Sequence, residues 1–114
     1  MSIDQRKVVD FVGVRRSDGS CKLTISDHLP WNDPDHISQL QDKLNTYLAF
    51  IESGEIYEQY PDARGRDIEI EVICKHMPPL DEALPFLDHA ATKIRGAGIK
   101  FAVRSLADVE RDVV

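Results

Sequence analysis

The chain has 114 residues, a formal net charge of −6, 42% hydrophobic and 30% charged residues. That is enough for one domain with its own buried core, and the interspersed hydrophobics exclude a disordered chain. The acidic balance argues against non-specific nucleic-acid binding, which needs a basic surface to displace counterions, and no apolar run is long enough to span a membrane.

The opening Met1–Lys7 carries no apolar core of a signal peptide, so a cytoplasmic protein is expected. Cys21 and Cys74 lie in different strand-like segments with no Cys-x-x-Cys pair, and read as small buried thiols of a reducing compartment.

Val8 to Arg16 reads as a first strand, Ser17-Asp18-Gly19-Ser20 as a turn, and Cys21 to Asp27 as a second strand. Asp-Gly between strand-like runs is a hairpin signal, because a type I′ turn takes positive φ at both central residues. In such a hairpin the paired residue numbers sum to 37, which sets Asp10 across from Asp27. Cys21, Leu23 and Ile25 then face inward and Lys22, Thr24 and Ser26 outward.

Asp33 and Pro34 open a helix, Asp33 capping free N–H groups and Pro34 taking the first position, where no donor is needed. It runs to about Ser53 and stops at Gly54, with Ile37, Leu40, Leu44, Tyr47, Leu48 and Ile51 on one stripe and Phe50 on its flank. The polar stretch Glu55–Asp67 is a connection with room for one short turn. Ile68 to Lys75 is a third strand, with Ile68, Ile70, Val72 and Cys74 inward. After Pro78-Pro79 a second helix is expected over 81–95, with Leu84, Leu87, Ala91 and Ile94 at helical spacing and Pro85 disturbing its first turn. Gly96 and Gly98 end it, and Ile99, Phe101 and Val103 alternate as a fourth strand. The ordered core is expected over 8–105, with the tail 106–114 either frayed, forming a final helical turn, or folding back through Leu106 and Val109 over the open sheet face.

The order ββαβαβ predicts an α+β two-layer sandwich: one domain, one four-stranded mixed sheet, and two helices on one face. A right-handed crossover makes strands three and four parallel.

Two features invite a functional reading. The loop around residues 27–36 holds two histidines, three carboxylates near them and the one tryptophan. Asp10, Asp27, His28 and His36 are chemically suited to a zinc or manganese site, and the facing carboxylates would need compensation by a bound cation, a histidinium or a shared proton. The structural alternative assigns Asp33 to the cap, Asp35 to the helix dipole, and Asp10 and Asp27 to solvent at the open end of the hairpin. No catalytic triad, phosphate loop or dinucleotide fingerprint is present, so no cofactor is expected.

The second feature is the outward face of the sheet, where Val9, Phe11, Ile73 and Ala102 are rimmed by Arg15, Lys22, Lys75, Lys100 and Arg104 against Glu69 and Glu71. It reads either as an interface for a protein partner or a second copy of the chain, or as isolated surface apolars.

The stretches Leu23-Thr24-Ile25-Ser26-Asp27-His28-Leu29-Pro30-Trp31 and Leu40 to Glu55, with Val9-Asp10-Phe11-Val12-Gly13 and Tyr60-Pro61, resemble a family of small bacterial proteins, a domain of unknown function. The resemblance covers most of residues 8–105. It implies a bacterial, stand-alone domain and brings no activity, cofactor or catalytic residue. The leading expectation is therefore a non-enzymatic binding or accessory protein acting through the open sheet face, without nucleic-acid or membrane partners. The rival is a small metal-dependent enzyme using the Asp/His loop.

Overall fold

A computed structural model describes residues 11–76 and 83–105. The elements are β1 (Phe11–Val14), β2 (Cys21–Asp27), α1 (His36–Glu52), α2 (Glu55–Gln59), a 3₁₀ turn (Pro61–Ala63), β3 (Ile68–Cys74), α3 (Leu84–Gly96) and β4 (Lys100–Ser105). The expected two-layer α+β architecture is present, with a short helix, α2, added in the polar connection.

The four strands lie in the order β1-β2-β3-β4. β1 runs antiparallel to β2, whereas β2 with β3 and β3 with β4 are parallel. Both crossovers step in the same direction, so right-handed connections put α1 and α3 over one face. Leu23, Ile25, Ile70 and Val72, all 0% exposed, meet Leu40, Tyr47 and Ile94 in the resulting core. Each such side chain contributes about 1.5–3 kcal/mol by leaving water.

The hairpin corrects the expected register. Described pairs run from Phe11↔Thr24 to Val14↔Cys21, numbers summing to 35 rather than the 37 that sets Asp10 across from Asp27. Asp10 itself, like Val9, lies outside the described residues. The physical reason is the turn. Gly19 takes φ 75°, but Asp18 does not take the positive φ that a type I′ turn demands. Instead Asp18 Oδ1 accepts hydrogen bonds from Ser20 N (3.0 Å) and Ser20 Oγ (2.7 Å), and residues 16–19 form a longer loop closed by Arg15 N–H to Ser20 O. A shift of two preserves alternation, so Val12 still shares a face with Leu23.

The helix α1 begins at His36, later than expected, and Asp35 rather than Asp33 is its capping residue; Asp33 Oδ1 accepts from Asp35 N–H at 2.8 Å in the turn before the helix. Gly54 ends it in the left-handed conformation, φ 82°. The buried stripe is rotated from the one expected. His36 and Lys43 are buried beside Leu40, Leu44 and Tyr47, while Ile37 and Ile51 sit at its flanks. In α3, Pro85 falls in the first turn and leaves the helix intact, and Leu84 is exposed rather than inward. Positions 81–82, 77–80 and the tail 106–114 lie outside the described residues.

Candidate functional site at the carboxyl edge of the sheet

Parallel strands bring three polar residues into one row. Asp27 pairs with Cys74, and Cys74 with Ser105, at the carboxyl ends of β2, β3 and β4. All three have the inward parity of Leu23, Val72 and Phe101, and all are buried. The first residue of α1, His36, comes down onto this row.

His36 Nε2 lies 2.6 Å from Asp27 Oδ2, with both side chains 0% exposed. The other ring nitrogen, Nδ1, lies 3.0 Å from the Pro30 carbonyl oxygen. A carbonyl only accepts, so Nδ1 carries a hydrogen and donates. One further proton must then lie between Nε2 and Oδ2. The pair is either carboxylate with imidazolium or carboxylic acid with imidazole, and each has zero net charge. That neutrality is what makes complete burial tolerable.

The remaining contacts fix the surroundings. Asp27 Oδ1 accepts from Leu29 N–H at 3.2 Å, and the Cys74 thiol points to Oδ2 at 3.9 Å. Trp31 stacks on the imidazole with ring centroids 3.9 Å apart, and its indole N–H donates to the His76 carbonyl at 3.0 Å. The imidazole thus ties the start of α1 to the end of β2 and its following loop, and the indole stacked on it ties that loop to the residue after β3. Burial, and then the nearby Asp27 carboxylate, push the Cys74 thiol up to about 12. It is a thiol at neutral pH and a poor nucleophile.

Of the expected metal ligands, Asp27 and His36 come together. His28 does not: it is exposed and follows Asp27 by one residue, on the opposite side of the strand. Both ring nitrogens of His36 are already bonded, so neither lone pair is offered to an ion. Among the described residues no group of three His, Cys, Asp or Glu side chains could hold a metal.

Among the described residues, the sheet face opposite α1 and α3 carries an ionic network beside Ile73 and Ala102. The register puts Thr24 and Glu71 between Phe11 and Ala102, and Ile73 between Ser26 and Arg104. Ile73 and Ala102 are half-buried. Arg15 Nη2 bonds Glu69 Oε1 at 2.7 Å, and Glu71 lies 3.3 Å from Lys22 Nζ and 3.9 Å from Arg104 Nη1. Both carboxylates are buried although they stand on the face away from the helices.

The sequence pattern groups Asp27 with His36 in one site but not as a direct buried pair, whose two signals were in the sequence. Asp27 continues the inward alternation of Cys21, Leu23 and Ile25, and His36 stands four residues before inward Leu40. Nothing in the pattern marked Lys43, which is 0% exposed with its ammonium 5.7 Å from the Tyr47 ring centroid.

Among the described residues no helix is long and apolar enough to cross a membrane. No curated protein and no solved structure matches the chain. A family model does match, over residues 1–107, and on that match the chain belongs to the Family of unknown function (DUF6572).

Proposed function

We propose that the protein is a non-catalytic binding module whose sheet face opposite α1 and α3 contacts an acidic protein partner. The observation that carries this reading is the contrast between the two sides of the carboxyl edge. On the inner side Asp27, His36 and Cys74 are buried and bonded to one another. On the outer side charged groups remain accessible, Lys75 and Lys100 among them.

Charge selects the partner. Among the described residues the outer face carries Arg15, Lys22, Lys75, Lys100 and Arg104 against Glu69, Glu71 and Asp67, whose carboxylate lies 3.7 Å from Lys100 Nζ, within a chain of formal charge −6. A second copy meeting it face to face would set this cationic excess against itself, which favours an acidic surface over a symmetric dimer. Two free buried cysteines agree with a reducing, cytoplasmic location, and the resemblance to small bacterial proteins supports placing the protein in a bacterium.

The test is affinity capture at low and at raised salt with the wild type, a K75E/K100E variant and an R64E control. A partner held by wild type and control, released by salt and lost in the face variant is expected. Equal capture by all three proteins, or none by any, would refute the reading.

A further inference from the structure

We infer that a cleft of about 130 Å³ on this outer side, lined by Ser26, Asp27, His28, Ile73 and Lys75, is a subsite for a carboxylate attached to a small apolar group. The inference deepens the binding-module reading and rests on it only for the source of the carboxylate.

The cleft follows from strand pairing. Ser26 stands across from Ile73, and the Lys75 N–H donates to the Asp27 carbonyl at 2.8 Å, which carries the pairing past the end of β3. His28 and Lys75 therefore stand one step beyond Ser26 and Ile73 on the same face. The chemistry of the lining is mixed in a way that names its ligand. Lys75 supplies a positive charge on an exposed side chain and has no ion-pair partner among the described residues. Ser26 supplies a hydroxyl and His28 a ring N–H, both able to donate to an oxyanion. Ile73 supplies an apolar wall, half-buried between Ser26 and Arg104.

The contrast with the rest of the face sharpens the assignment. Arg15 and Lys22 are already engaged by Glu69 and Glu71, whereas Lys75 is engaged by no carboxylate among the described residues. A fully hydrated inorganic anion makes no use of Ile73, while a short branched acid uses both halves of the cleft. The carboxylate has two possible sources, a free organic acid or an acidic residue of a bound polypeptide.

The experiment is an amide-resolved NMR titration of the whole chain at constant ionic strength with isobutyrate, with inorganic phosphate and with a blocked tetraglutamate peptide. Isobutyrate is expected to give saturable shifts at Ser26, His28, Ile73 and Lys75. In K75M, which keeps the stem and removes the charge, affinity should fall about tenfold, as one charge-assisted hydrogen bond requires. In R64E it should be unchanged. No saturable shift, shifts indifferent to K75M, or phosphate binding as tightly as isobutyrate would each overturn the inference. Tighter binding of the peptide identifies a polypeptide source, and tighter binding of isobutyrate a free acid; both support the subsite. Because the isobutyrate arm needs no protein partner, its outcome is separable from that of the capture experiment.

Discussion

Removing the Asp27 carboxylate should be among the most damaging single changes available, and replacing it by its amide among the mildest at the same position. In D27A, His36 Nε2 loses its 2.6 Å partner and Leu29 N–H its acceptor, in a place 0% exposed. Breaking a buried pair by removing one member costs about 3–5 kcal/mol, because the survivor is left without compensation. That is a large fraction of a typical domain stability of about 5–15 kcal/mol. It corresponds to a fall in Tm of roughly 12–20 °C. In D27N the amide N–H donates to Nε2 while the amide oxygen still accepts from Leu29. His36 keeps its hydrogen on Nδ1 for Pro30, and no buried charge is created. The loss should be about 1 kcal/mol or less. Urea unfolding followed by fluorescence suits the comparison, since the chain has one tryptophan and Trp31 stacks on His36 itself. A D27A loss below about 1 kcal/mol, or D27N as damaging as D27A, would refute the one-proton account of the pair.

Other consequences are equally concrete. The Cys74 pKa is raised in the folded state, to about 12 from its ordinary value of 9.0, chiefly by burial. Its contribution to stability is therefore fully present below about 9 and is lost as pH rises towards about 12. The alkaline decline should be shallower in C74S than in wild type, and a thiol reagent at pH 8 should modify Cys74 only after unfolding. The substitution G54A meets no atom within 4 Å, so its cost is that of the left-handed backbone at φ 82°, about 1–2 kcal/mol in thermal or urea unfolding; an unchanged midpoint would show that the end of α1 rearranges. On the ionic face, E71V places a β-branched residue in an interior strand and removes one partner each from Lys22 and Arg104, whose side chains are 31% and 34% exposed and so keep contact with water. Its stability should stay within about 1 kcal/mol of wild type or rise. A loss above about 3 kcal/mol would mean that Glu71 is held for stability rather than for the character of the face.

Local chemistry settled much of this protein before any packing was considered. Alternation in Cys21–Asp27 and Ile68–Cys74, helical spacing over Leu40–Leu48, and glycines at 19 and 54 each constrain only near neighbours, so they are readable from the chain alone. The two-layer fold follows from them, because each apolar face must find another. The short helix α2 escaped, since five residues with one buried side chain, Ile56, make too brief a pattern to read.

Tertiary structure decided the rest. The hairpin register depended on whether the Asp18 side chain would bond Ser20 or yield to a tighter turn, a competition that composition leaves open. Strand order decided that Asp27, Cys74 and Ser105 share a row, and that Glu71 rather than an apolar residue separates Phe11 from Ala102. The Asp/His loop was visible as a cluster of suitable residues, yet whether such residues bind an ion or one another depends on where each side chain points. One residue of strand alternation sends His28 outward, and one turn of helix sends His36 inward onto Asp27. Sequence determined which groups were present and which face each strand residue took; packing across segments decided which of them met.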